Sequence, residues 1–111
     1  MPHNAGPIHE AKAALFRVLG HPARVRILEL LRDGERSVGA LQAELGLDSG
    51  GTSQHLAALR RIGLVESRRE GTSVYYRVAD ERVFELLAAG RGLIARRLAE
   101  QQSILKDLGP A

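Results

Sequence analysis

Residues 49–65 read SGGTSQHLAALRRIGLV, and the fold turns on what this segment does with its polar groups. At about 100° per residue of an α-helix, Thr52, Leu56, Leu59 and Gly63 fall on one side. Gly50, Gln54, Ala57 and Arg61 take the opposite side, with Ser53 and Arg60 on one edge and His55 on the other. The segment therefore predicts a helix with one buried face. Its outward face is small or hydrogen-bonding at the start and cationic at the end. A helix that merely faces water more often mixes Glu and Lys along its length. Small groups permit close approach to a surface, amides and hydroxyls read edges, and arginines grip phosphates.

Upstream, Ser37 can cap a short helix through Leu45, with Val38, Leu41 and Leu45 inward and Gly46 supplying the left-handed residue that closes it. Only Leu47 and Asp48 then precede the quoted segment, which either Asp48 or Ser49 can cap. Two helices joined by so short a turn containing Gly are the sequence form of a helix-turn-helix. Before them, HPARVRILELLRDG predicts a helix with Pro22 in its first turn, Gly34 as its stop, and Ile27, Leu28 and Leu31 buried. Ala11, Ala14, Leu15, Val18 and Leu19 form the apolar stripe of a first helix ended by Gly20. Residues 1–10, with Pro2, Gly6 and Pro7, read as a flexible arm, and residues 11–108 as one domain.

Downstream of Gly63 the apolar period changes from 3.6 to 2. LVESRR and SVYYRV flank EGT, with Val65 on one run and Val74, Tyr76 and Val78 alternating on the other, a β-hairpin turning near Glu70-Gly71. Arg68, Arg69, Thr72 and Ser73 gather at its tip. From Asp80 the chain is helical again, interrupted at Gly90 and Gly92, and its end carries Leu93, Ile94, Leu98, Ile104, Leu105 and Leu108. These exceed what one small core absorbs, so Leu93, Ile94, Leu98, Ile104 and Leu105, with Leu15 and Val18 of the first helix, are expected to meet a second copy of the chain.

The composition agrees with one small, mainly α domain carrying a β-hairpin: 111 residues, 44% hydrophobic. There is no cysteine, which removes disulfides and thiolate chemistry and fits a reducing cytoplasm. The N-terminus lacks the apolar run of a signal peptide, and no stretch approaches the roughly 20 apolar residues of a membrane span. The formal charge is +3, and 14 of the 16 basic residues are arginine. From Arg60 to Arg77 stand five arginines (Arg60, Arg61, Arg68, Arg69, Arg77) against Glu66 and Glu70. Such a run is either a solvated face or a polyanion site.

The order helix, helix, helix-turn-helix, basic hairpin, helix looks like a winged helix-turn-helix. Three blocks in register, HPARVRILELL, SQHLAALRRIGLV and RREGTSVYYRV, resemble the ArsR/SmtB family of bacterial transcriptional regulators from about Leu19 to Val78. The resemblance implies a homodimer that places two recognition helices in successive major grooves of operator DNA, half-sites roughly 10 base pairs apart, usually to repress. The family's contacts map onto Ser49, Gly50, Ser53 and Gln54, with Thr52 and His55 close by. Gln54 is the expected base reader, since an amide pairs bidentately with adenine. Ser49 and Ser53 are expected on phosphate or on either base, and Arg68 and Arg69 on the backbone, with Arg60, Arg61, Thr72 and Ser73 beside them. Gly50 and Gly51 depart from the pattern, because relatives tend to carry polar side chains there. Each costs about 0.8–1 kcal/mol of helix propensity against Ala. Either the first turn frays until DNA orders it, or the backbone approaches phosphate closely.

Many relatives sense metals. The family's dimer-interface site would match Asp80, but its remaining ligands fall on Arg82, Leu93 and Arg96, so no metal or other cofactor is expected there. His3 and His9, with Glu10, leave a nickel- or zinc-responsive arm as the alternative to two solvated histidines. His21 is expected to serve the start of its helix. No nucleophile elbow, phosphate loop or paired catalytic carboxylate points to an enzyme. A winged helix that binds only protein is the rival, and it calls for acidic or apolar residues where Gln54, Arg61, Arg68 and Arg69 stand.

Overall fold

The helix at the centre of the sequence argument is bounded by its own chemistry. Asp48 is its N-cap, with Oδ1 accepting from the Gly51 N–H at 2.7 Å, and the helix runs Ser49–Arg61. Gly63, expected on the buried side, is exposed and closes the helix at φ 82°. Its N–H donates to the Arg60 carbonyl at 2.9 Å, and that of Leu64 to the Leu59 carbonyl at 3.0 Å, a Schellman ending. The computed structural model describes residues 6–109. In chain order these form α1 (Gly6–Leu19), α2 (Pro22–Leu30), a 3₁₀ turn (Leu31–Asp33), β1 (Arg36–Ser37), α3 (Val38–Leu45), α4 (Ser49–Arg61), β2 (Val65–Glu70), β3 (Ser73–Val78) and α5 (Arg82–Leu108).

The remaining helix ends follow the same logic. His21 caps α2, its Nδ1 accepting from the Ala23 N–H at 3.1 Å. Ser37 Oγ accepts from the Ala40 N–H at 3.1 Å to start α3, and Gly46 at φ 66° ends it. The helix α1 begins at Gly6, so residues 6–10 are helical rather than part of a loose arm. Pro7 suits a first turn, where its missing N–H has no partner to lose.

The chain divides into two compact units at Glu81/Arg82. In the first, α2 packs on α3 and α4, α1 lies on α2, and α4 packs on β2. Ile27, Leu28, Leu41, Leu56, Leu59 and Val65 are fully buried between them. The sheet has three strands, ordered β1-β3-β2, all antiparallel. The sequence predicts only the β2–β3 hairpin; β1 adds two residues, pairing Arg36 with Tyr76 and Ser37 with Tyr75. The hairpin turns at Gly71-Thr72, with Glu70 opposite Ser73 and Gly71 at φ 63°, the first central position that a type II′ turn reserves for glycine.

The second unit is α5. It runs unbroken through Gly90 and Gly92, against the expected interruption. Two glycines cost about 1 kcal/mol each in helix propensity, too little to break a helix this long. From Arg91 to Leu108 every residue is exposed. Leu93, Ile94, Leu98, Ile104 and Leu105 are 53% to 73% exposed, as is required of a face that needs a partner. In α1, Leu15 and Val18 are half-buried, while Ile8 and Phe16, which the sequence reading passed over, are exposed.

Candidate nucleic-acid interface

Because Asp48 starts α4 and Leu56 and Leu59 lock it into the core, the rotation of the helix is set, and with it the side chains facing out. Ser49, Gly50, Ser53, Gln54, Ala57, Arg60 and Arg61 are exposed. Thr52 is not: it is fully buried, and its Oγ1 donates to the Asp48 carbonyl at 2.9 Å. Its sequence neighbours contact the outside while Thr52 serves the cap, which removes it from the expected contact set.

His55 is likewise turned inward. It is half-buried, and its Nδ1 accepts from Arg24 Nε at 3.2 Å, while Arg24 Nη1 also donates to the Val18 carbonyl at 3.4 Å. The His21 ring lies 4.3 Å from that of His55, tilted by 48°. Burial, and then the electrostatic influence of His21 and Arg24, hold the His55 pKa below its ordinary 6.5. This histidine ties α4 to the start of α2.

The hairpin leans over the same surface. Ser53 of α4, Thr72, Ser73, Val74 and Tyr76 of the hairpin, and Ser37, Val38 and Gly39 at the start of α3 line one open cleft of about 410 Å³. Its walls are hydroxyl-rich. The structure thus gathers Ser53, Thr72 and Ser73, which lie some twenty residues apart in the chain. Arg60 lies elsewhere, in a second cleft with Gly63, Val65, Glu66, Ser67 and Ala79 near the base of the hairpin.

Adjacent residues of a strand point to opposite faces, and here the alternation separates two arginines. Arg69 pairs in register with Val74, on the face that Tyr76 and the cleft share. Arg68 pairs with Tyr75 on the other face, its guanidinium 4.6 Å over that ring. Arg68 is also committed to acid: Nε and Nη2 donate to the two carboxylate oxygens of Glu35 at 2.8 and 2.7 Å, and Nη1 lies 3.5 Å from Glu70. The fork holds the Glu35 carboxyl below the usual carboxylate range and raises Arg68. Arg77 pairs with Glu66 at 2.8 Å. Among the described residues, no acid lies within ion-pair distance of Arg60, Arg61 or Arg69.

The basic run from Arg60 to Arg77 is therefore less basic than its sequence. Glu35, 33 residues before Arg68, carries no local signal of this role. Of the histidines weighed for a metal, His9 is exposed on α1, and His3 lies outside the described residues. Among the described residues no three His, Asp or Glu are grouped to hold a metal ion. No helix of the described residues is long and apolar enough to cross a membrane.

Residues 21–67 match the family model for bacterial regulatory proteins of the arsR family. The chain is 46% identical over 103 residues to the uncharacterized HTH-type transcriptional regulator Rv0081 of Mycobacterium tuberculosis, covering 92% of this chain and 90% of that protein. The crystal structure of Rv0081 aligns with a TM-score of 0.79 at 45% identity, over 86% of this chain and 97% of the other. The homodimeric winged helix-turn-helix DNA-binding domain of Mb0332 from Mycobacterium bovis, solved by NMR, gives 0.76 at 36% identity, over 88% and 91%. The biofilm growth-associated repressor of Agrobacterium fabrum is 40% identical over 77 residues, 69% of this chain and 66% of that one. With the fold described above, these likenesses settle its kinship: the chain belongs to the arsR family of bacterial regulatory proteins.

Proposed function

We propose that two copies of this chain bind operator DNA as a homodimer in the cytoplasm and repress transcription by occluding a promoter. In this reading α4 enters the major groove, the hairpin lies along the flanking backbone, and the exposed apolar face of α5 joins the copies. One observation carries it: α4 exposes Ser53, Gln54 and Arg61, and Ser53 lines a hydroxyl-rich cleft whose far wall is the hairpin tip. Hydroxyls and an amide at the front, with guanidinium groups behind, match the edges and phosphates of duplex DNA.

Gln54 reads a base, and Arg69 holds phosphate. The test is fluorescence anisotropy on an operator duplex, selected from a random library, and on a scrambled duplex. Gln54→Ala is expected to lower the operator preference by about 1–3 kcal/mol, the worth of one bidentate base contact. Arg69→Ala is expected to weaken both duplexes about equally. The reverse pattern would overturn this division of roles. Transcription in vitro from a template carrying the operator separates the modes: added protein lowers the yield of a repressed promoter, and a rise would mean activation.

A further inference from the structure

We infer that Glu35 is a positioning residue for DNA binding, one that decides which of two consecutive hairpin arginines meets the phosphates. The inference rests on the DNA-binding reading above and deepens it. Glu35 sits in the connector just before β1, and β1 pairs with β3 beside it. Its carboxylate takes both Nε and Nη2 of Arg68 in a two-point fork, which adds geometric specificity as well as energy. The same guanidinium is stacked on Tyr75 across the strand and flanked by Glu70. Three contacts from three elements hold one side chain.

Next to it Arg77 is matched by Glu66, and Glu35, Glu66, Arg68 and Arg77 surround a shallow recess of about 260 Å³. This face of the hairpin carries two arginines and balances both. The opposite face carries Arg69 with no acid in reach among the described residues. Glu35 thus does two things at once. It fixes the hairpin to the body of the unit, which keeps the cleft beside Ser53 in shape. It also withdraws one guanidinium from the set available to a polyanion. An unrestrained Arg68 would add attraction to any phosphate, which strengthens all sequences about alike and raises affinity without adding preference.

The experiment is the salt dependence of duplex binding. Each phosphate neutralised contributes about 0.9 to the slope of log K against log salt, so one arginine per protomer is about 1.8 for a dimer. Arg69→Gln is expected to flatten the slope by that amount and Arg68→Gln to leave it unchanged. Glu35→Gln is expected to steepen it by up to about 1.8 and to strengthen operator and scrambled DNA about equally. In the double variant Glu35→Gln/Arg68→Gln the slope returns to that of the wild type. If Arg68→Gln flattens the slope as Arg69→Gln does, Arg68 leaves Glu35 for phosphate and the inference fails. It fails too if Glu35→Gln steepens the slope equally with and without Arg68, since Glu35 would then act only as a nearby anion. Should Glu35→Gln not fold, Glu35→Asp, whose shorter side chain loosens the two-point hold on Arg68, is measured in its place, and an unchanged slope overturns the inference. A wild type whose duplex binding ignores salt would instead defeat the DNA reading itself, an outcome seen before any variant is made.

Discussion

Gly50 and Gly51 are adjacent, in the first turn of one helix, and the structure separates them. An alanine Cβ at position 50 would lie 3.8 Å from Asp48 Oδ1, an ordinary contact. At position 51 it would lie 3.0 Å from the same oxygen, while the Gly51 N–H donates to that oxygen at 2.7 Å. Neither glycine has positive φ, so alanine meets no backbone strain at either site. Gly50→Ala should therefore gain the full effect of losing unfolded-state freedom, about 0.4–1 kcal/mol. Gly51→Ala makes the same gain but pushes the Asp48 carboxylate off its cap, and a lost cap costs typically about 1 kcal/mol. The net is near zero or slightly destabilising, so the variants differ by about 1 kcal/mol. In urea, with m of about 1–3 kcal/mol/M, that separates their midpoints by roughly 0.3–1 M. The assay is urea unfolding followed by circular dichroism, at one protomer concentration because dimerisation shifts apparent stability. In an Asp48→Ala background the difference should vanish, since no cap is left to displace. If Gly51→Ala stabilises the intact chain as much as Gly50→Ala, the capping argument is refuted. The same proteins choose between the two accounts of these glycines. Gly50→Ala should bind DNA more tightly if the turn merely needs ordering, and less tightly if backbone must approach phosphate.

Two further outcomes are expected. His55 accepts a hydrogen bond at Nδ1 and has its pKa held below 6.5, so the unfolded chain takes up a proton before the folded one does. Its contribution to stability is therefore complete above about pH 7 and declines as pH falls through 6.5 toward the folded value. The urea midpoint measured from pH 8 to pH 5 should drop less in His55→Gln than in the wild type; equal drops would mean that His55 is not the group responsible. Leu98 is 53% exposed, and an exposed substitution ordinarily changes stability by within about 0.5 kcal/mol. Leu98→Glu should nonetheless turn a dimer into a folded monomer in sedimentation equilibrium, and a dimer that survives it would remove this part of α5 from the interface.

What the sequence displayed of this fold is what local chemistry decides. Caps at His21, Ser37 and Asp48, the glycine closure at Gly46, and the change of period after Gly63 each act within a few residues. The helices and the hairpin could therefore be read directly. β1 could not, because Arg36 and Ser37 form a strand only through partners at Tyr76 and Tyr75, about forty residues on. The early start of α1 and the continuity of α5 were missed for a different reason. Pro7, Gly90 and Gly92 read locally as breakers, yet proline suits a first turn and the cost of a glycine is small beside the length of the helix. Among the candidate site residues, angle around the helix puts Ser53, Gln54 and Arg61 on the exposed face, where the structure has them. It also puts Thr52 on the buried side, and adjacency to the contact residues alone brought it into the contact set.

Arginine content is where sequence misleads most. Arg68 and Arg69 are consecutive and chemically identical, so composition weights them equally. Strand alternation sends them to opposite faces, and an acid from a distant connector neutralises one. The number of cations that a polyanion meets is a property of the fold. The apolar face of α5 bears on the same question from outside the site. It shares no residue with α4 or the hairpin, yet in the proposed dimer it would govern how many such faces act together. If the dimer spans two half-sites, losing the α5 contact halves the phosphates engaged at once, which roughly halves the salt slope. Leu98→Glu should thus weaken DNA binding without touching DNA, and affinity should recover as protomer concentration rises. Binding that is weakened but independent of concentration would place the effect of Leu98 within one protomer.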